Sequence, residues 1–474
     1  MHQKELSNTI KKNFKHTPTS DQELLIEKLS EFILSRKTSE AFILKGYAGT
    51  GKTTLMSALV KSLPSIKVKS ILLAPTGRAA KVLGQYTEKP AFTIHKKIYK
   101  QQSASDGFGK FVLSSNLYKD TLFIVDEASM ISNQSTEGSV FGSGRLLDDL
   151  VYYIYQAPSC KLLLIGDTAQ LPPVHLSISP ALEHREIAKY GLDVFEIELK
   201  QVVRQAKESG ILKNATYLRE ILPNYIENKY PFLDIENFAD VQKISGNELI
   251  EQIASCYDKD GLEETMVVTR SNMRANRYNE GIRRTILWRE EEIAVGDMLM
   301  VVKNNYFWAE KVESMDFIAN GDIAEITRII KYEERYGYRF AKVELNFSDY
   351  PNAEFEAMIF LSTLFLGAAS LSYEQNRTFY KKLEEDYAEE KTKSNRYKKI
   401  KENPYFNALQ VKFAYAVTCH KAQGGQWKNI FIDQGYFVED MLNKDFLRWL
   451  YTAVTRATQN LYLVNFNKDF FEKQ

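Results

Sequence analysis

The chain is poor in cysteine. Cys160, Cys256 and Cys419 are the only three in 474 residues, and they stand far apart. That scarcity and spacing exclude a metal centre built on neighbouring cysteines and argue against a disulfide framework, so the three read as free thiols in a reducing compartment. An excess of charge is missing too: 62 Lys and Arg face 61 Asp and Glu, a net charge of +1. No global basic field announces a polyanion. A nucleic-acid partner would have to be held in one groove lined with Lys and Arg. Long hydrophobic runs are absent, and residues 1–15 are polar and mixed. The expectation is a cytoplasmic protein without signal peptide, membrane span or membrane partner. Solenoid repeats and low-complexity tracts are lacking as well.

What is present is ordinary globular chemistry, 44% hydrophobic and 26% charged, with length for about three domains. Short unbroken apolar runs end in turns: Ala41-Phe42-Ile43-Leu44, Ile71-Leu72-Leu73, Leu122-Phe123-Ile124-Val125 and Leu162-Leu163-Leu164-Ile165. Runs of this length suit parallel strands buried on both faces, with helices such as 53–63 between them. The class is α/β, doubly wound, with ligand groups at the carboxyl ends of the strands. A second set, Met266-Val267-Val268-Thr269, Phe413-Ala414-Tyr415-Ala416-Val417, Ile430-Phe431-Ile432 and Leu461-Tyr462-Leu463-Val464, implies a second α/β domain. It is interrupted over 332–411 by β-like alternation and then a charged helical stretch, 373–401. A solvated helix face is the plain reading of that charge. A smaller insertion, 96–120, reads as a hairpin around a turn-rich 102–110. The expected units are 1–200 with that hairpin, 201–331 joined to 412–474, and the inserted 332–411.

Gly46-Tyr47-Ala48-Gly49-Thr50-Gly51-Lys52-Thr53 matches G-x-x-x-x-G-K-[ST] between a strand and a helix. Its N–H groups face phosphates at the helix N-terminus. Lys52 should neutralise β- and γ-phosphate charge, and Thr53, with Thr54 beside it, should meet Mg²⁺ and nucleotide. Asp126-Glu127 follows a strand: Asp126 can hold Mg²⁺, and Glu127 can polarise the attacking water. Gln170, in Gly166-Asp167-Thr168-Ala169-Gln170, carries an amide suited to sensing the γ-phosphate or placing water. A polar turn is the alternative there.

Taken in order, these and the later segments resemble superfamily 1 helicases of the RecD/Dda-like group, over most of the chain and through at least seven motifs. That resemblance implies two RecA-like parallel-sheet P-loop motor domains, a small β-hairpin insertion in the first, and an SH3-like plus helical insertion in the second. In Thr17-Pro18-Thr19-Ser20-Asp21-Gln22 it makes Gln22 the adenine reader, although a capped helix start also fits. Ala74-Pro75-Thr76-Gly77-Arg78-Ala79-Ala80 resembles the segment that grips the single strand, which implicates Pro75, Thr76 and Arg78. Ala91-Phe92-Thr93-Ile94-His95 resembles the next, with His95 near the DNA backbone. Leu199-Lys200-Gln201-Val202-Val203-Arg204-Gln205 resembles motif IV and Tyr451-Thr452-Ala453-Val454-Thr455-Arg456-Ala457 motif VI, making Arg204 and Arg456 arginine fingers. In Val417-Thr418-Cys419-His420-Lys421-Ala422-Gln423-Gly424-Gly425, resembling motif V, Thr418 and His420 would touch DNA, and Gln423 and Gly424 would relay to ATP. Cys419 replaces a small or β-branched residue there. Asn304-Asn305-Tyr306 and Asn320-Gly321-Asp322 resemble RecD-type segments.

The resemblance implies ATP and Mg²⁺ as cofactors, and single-stranded and forked DNA as partners of a monomeric motor, with other repair or replication proteins beside it. It implies 5′→3′ translocation and unwinding in replication, recombination or repair, with Phe108 in the hairpin as the strand-separating pin. Three alternatives stay open: a P-loop switch without unwinding, a subunit of a recombination nuclease complex, and an RNA helicase of the same superfamily.

Overall fold

In this computed structural model the described residues are 3–101, 111–135, 141–203, 209–309, 315, 317–347, 350, 352–368 and 370–472. The first half supplies strands β1 (Glu40–Gly46), β2 (Lys69–Ala74), β3 (Ala91–Thr93), β4 (Tyr99–Gln101), β5 (Phe111–Leu113), β6 (Thr121–Val125), β7 (Lys161–Gly166) and β8 (Asp193–Leu199). Six of them form a sheet in the order β3-β2-β6-β7-β1-β8, and every pairing is parallel. Strands β6 and β7 are buried along their whole length, which is why their sequences are apolar without alternation. The two faces still separate by register. Phe42 and Leu44 of β1 join one core with Leu55 and Leu59. Ala41 and Ile43 join another with Leu147 and Leu150. Strands β4 and β5 pair antiparallel as a separate ribbon, and the expected turn between them, with Phe108, lies outside the described residues.

The second half begins with β9 (Val241–Ile244) and β10 (Thr265–Thr269). Then come β11 (Met298–Val301), β12 (Ile323–Arg335), β13 (Tyr338–Asn346), β14 (Glu354–Phe360) and β15 (Leu409–Phe413), which close into a barrel. Finally β16 (Ala416–Thr418), β17 (Trp427–Asp433) and β18 (Ala457–Val464) return to a second parallel sheet, in the order β16-β10-β17-β18-β9. The charged stretch after β14 folds as two helices, Tyr373–Glu385 and Lys393–Lys401.

Two details differ from the sequence expectation. The barrel takes in β11 and the whole of β12, so a boundary at residue 332 would cut a strand. The run expected as one strand, Phe413 to Val417, is two: Phe413 closes the barrel and Ala416 opens the sheet strand. The buried Asn279 side chain fixes this break. Its amide donates to the carbonyls of Phe413 (3.1 Å) and Ala416 (3.0 Å) and accepts from the N–H of Tyr415 (3.0 Å) and Ala416 (2.8 Å). Hydropathy carries no trace of such a bridge. Among the described residues, no helix is long and apolar enough to cross a membrane.

Candidate active site

Strand β1 delivers the chain into the loop 46–51, and the helix Lys52–Ser62 leaves it. Gly51 has φ +80°. A β-carbon there would lie 2.6 Å from Gln22 Nε2, so both backbone shape and space require glycine. Lys52 Nζ donates to the carbonyls of Gly46 (2.5 Å) and Tyr47 (2.8 Å), which holds the ammonium over the loop. Thr50 is buried and its hydroxyl donates to Tyr47 O at 2.8 Å. Thr53 and Thr54 are exposed on the first helical turn. Gln22 has two duties. It completes a capping box with Thr19, and its Nε2 donates to Thr50 O at 2.9 Å.

At the end of β6, Asp126 accepts from its neighbour's N–H, Glu127 N, at 2.9 Å and from the Tyr86 hydroxyl at 2.5 Å. The Thr53 hydroxyl lies beside the same Tyr86 hydroxyl and favours its charged form. Glu127 stands in the left-handed region, φ 51°, a conformation that for this residue type draws attention to function. Burial raises its carboxyl above the usual carboxylate range, and the charges of Asp126 and Asp167 add to that, while Arg456 and Lys52 oppose it. Gln170 is buried, and its Oε1 has no partner among the described residues. An oriented, unsatisfied acceptor at this place suits a water or nucleotide contact.

The second sheet reaches the same place through the helix Lys444–Val454 and the turn after it. Arg456 is buried. It is held by the carbonyls of Thr452 (3.0 Å) and Gly425 (3.2 Å) and by the Thr455 hydroxyl (3.2 Å). Tyr451 Oη donates to Asp167 Oδ2 at 2.6 Å and accepts from Ala48 N at 3.0 Å, so one phenol joins three motifs. Thr452 Oγ1 accepts from Leu171 N at 2.8 Å. Gln423 Nε2 donates to Leu171 O at 2.7 Å, and Gly424 abuts Ala79 and Thr76. Gln423 and Gly424 therefore meet the turn after β7 and the grip segment rather than the phosphate loop. Arg204 lies outside the described residues.

The residues expected at the strand divide. Pro75 and Thr76 sit at the start of the helix Gly77–Thr87, and the Thr76 hydroxyl caps it. Arg78 stacks on Trp427, 4.2 Å from the ring centroid, which places it between the two sheets. His95 packs against Phe141 and Tyr99, at 4.9 and 5.8 Å between centroids. Burial pulls it down to about 4, so it is neutral near pH 7. Thr418 is half-buried and His420 exposed at the end of β16.

These elements have counterparts in known proteins. A profile described as AAA domain matches residues 28–221, and one described as UvrD-like helicase C-terminal domain matches 413–464. The RecD2 DNA helicase of Deinococcus radiodurans is 35% identical over 176 residues, 36% of this chain and 21% of that protein. The DNA helicase dda of phage T4 is 26% identical over 61% of this chain and 62% of its own length. The chain is thus similar to RecD/Dda-like superfamily 1 helicases, with an AAA domain in its first half and a UvrD-like helicase C-terminal segment near its end. The chain also aligns at 24% identity, over 93% of its length and 98% of the relative's, with the uncharacterised protein R530 of Acanthamoeba polyphaga mimivirus. It thus spans about a fifth of RecD2 and about three-fifths of Dda.

Sequence reasoning missed several residues of this site. Tyr86 and Tyr451 are aromatic positions in helices, and nothing in their local sequence announces a hydroxyl that bonds Asp126 or Asp167. Arg219 lies over the Tyr47 ring at 4.6 Å, and its distance in sequence from every motif hides it. Lys412 and Lys421 are pulled down to about 8, chiefly by burial. Lys421 stands beside His420, so it adds a cation to that segment.

Proposed function

We propose that this chain uses ATP to translocate on single-stranded DNA in the 5′→3′ direction and to separate duplex at a fork, in replication, recombination or repair. The observation that carries the reading is Glu127. It lies at the end of the first sheet within the fields of Lys52, from the phosphate loop, and Arg456, from the second sheet. A base flanked by cations on two domains works fully when the cleft between them is closed, which couples hydrolysis to domain movement.

Lys52 and the loop N–H groups hold the β- and γ-phosphates, with Gln22 at the adenine end. Glu127 accepts the proton of the attacking water, and Gln170 positions that water. Arg456 stabilises the charge on the transferring phosphoryl group, and Arg204 is assigned the same duty by its motif. The Thr53 hydroxyl and Asp126 carboxylate are hard oxygen donors, and both meet the Tyr86 hydroxyl. That donor set fits Mg²⁺, which supplies charge neutralisation to the phosphates. Pro75, Thr76, Thr418 and His420 hold the strand from the two sheets through its backbone, so alternate loosening of the two grips moves it. Arg78 acts at the joint between them, on Trp427. Phe108 in the hairpin is the separating pin.

A forked-duplex assay with either a 5′ or a 3′ single-stranded tail tests this. Strand separation on the 5′-tailed substrate, lost in Lys52→Ala, is the expected result. DNA-stimulated ATP turnover without strand separation would make the chain a switch, and separation of the 3′-tailed substrate alone would reverse the direction.

A further inference from the structure

The helix Gly77–Thr87 begins at the strand-gripping turn and ends beside the phosphate site. Its penultimate residue, Tyr86, sends its hydroxyl onto Asp126 Oδ2 at 2.5 Å. The Thr53 hydroxyl lies close enough to the same phenol to favour its charged form. Thr53 leaves the phosphate loop and Asp126 ends β6, so no backbone hydrogen bond ties these two groups to each other. The phenol lies between them, bonded to the Asp126 carboxylate and beside the Thr53 hydroxyl.

The residue that carries the phenol is fixed through its backbone carbonyl. Ser57 Oγ, on the helix after the phosphate loop, donates to Tyr86 O at 2.7 Å. Asp126 is fixed on its other oxygen by Glu127 N at 2.9 Å. We infer that Tyr86 is a positioning residue for Mg²⁺, setting the spacing and orientation of Thr53 and Asp126 through its hydroxyl. This rests on the reading of Thr53 and Asp126 as the metal-holding pair. Mg²⁺ demands close to ideal octahedral geometry and tolerates little play in its ligands. Groups that hydrogen-bond to metal ligands from behind typically change metal affinity about 10–100-fold when removed.

The test is binding of a fluorescent ADP (the methylanthraniloyl derivative) to the full chain while MgCl₂ is titrated, with affinity in EDTA as each variant's reference. Tyr86→Phe keeps the ring and its packing and removes only the hydroxyl. It is expected to need about tenfold more Mg²⁺ for the half-maximal gain in nucleotide affinity. Ser57→Ala, which leaves the phenol and loosens its backbone, should shift the midpoint the same way by less, and it carries the test if Tyr86→Phe does not fold. Thr53→Ala should lose the Mg²⁺ dependence. Coincident wild-type and Tyr86→Phe curves, with Thr53→Ala flat, overturn the role of Tyr86 and leave the site reading intact. Wild-type binding indifferent to Mg²⁺, together with undiminished binding in Lys52→Ala, overturns the site reading and takes this inference with it.

Discussion

Glu127 holds its carboxyl where two effects oppose each other. Burial and the neighbouring Asp126 and Asp167 favour the protonated form, and Arg456 and Lys52 favour the charged one. The balance leaves the group above the usual carboxylate range. In its proposed role as base it works only when ionised, so ATP turnover is expected to fall as pH drops through that raised value and to be full above it. Removing Arg456 removes the largest opposing charge, so the acid limb moves to still higher pH. Arg456→Ala is therefore expected to slow turnover by about 10³-fold or more and also to shift the acid limb of its pH–rate profile upward. Arg456→Lys keeps a charge while losing the planar fork. It should be slow with its limb close to wild type. An Arg456→Ala profile lowered equally at every pH would show that Glu127 does not feel this charge during turnover.

Among the elements, the turn before the helix Gly77–Thr87 is a meeting point. A β-carbon on Gly77 would sit 2.4 Å from Asp322 Oδ1 and 2.6 Å from Tyr350 Oη. Asp322 is fully buried and its Oδ2 accepts from Ala319 N at 2.7 Å, so it has little room to yield. Gly77→Ala should cost about 1–3 kcal/mol through overpacking, read as a lower midpoint of urea unfolding. Asp322→Ala clears part of that space, so the two costs together should be smaller than their sum. Strict additivity would mean that the barrel and the grip turn do not press on each other. The same contact shows where sequence is legible. The phosphate loop, the Asp126-Glu127 pair and the buried strands announce themselves because one local segment carries each: a loop bent by glycines, acids after an apolar run, a strand covered on both faces. The break at Ala414–Tyr415, the packing of Asp322 on Gly77 and the stacking of Arg78 on Trp427 join residues far apart in the chain. Their local sequence reads as a strand, a turn and a cation of the expected strand-gripping segment, and only folding gives them these partners.

For the whole molecule the question is how the second sheet reaches the phosphate loop of the first. Most described cross-sheet polar links gather on the helix Lys444–Val454 and the turns beside it, and Tyr451 is the most connected of them. Its hydroxyl donates to the buried Asp167 at 2.6 Å and accepts from Ala48 N in the phosphate loop at 3.0 Å. Burial and Asp167 raise its titration well above the ordinary phenol range, so the hydroxyl keeps its proton at any working pH. Thr452 reinforces the joint through Leu171 N at 2.8 Å. A hydrogen bond to a charged group contributes about 1.5–3 kcal/mol. If the joint carries the message from strand to phosphate, Tyr451→Phe loses at least about tenfold in coupling. The ratio of ATP turnover with a single-stranded oligonucleotide to turnover without it should fall by about that factor, and Thr452→Val should lower it less. Both rates falling together, with their ratio unchanged, would place Tyr451 in the shape of the phosphate loop alone and leave the stacked Arg78–Trp427 pair as the path by which DNA is felt.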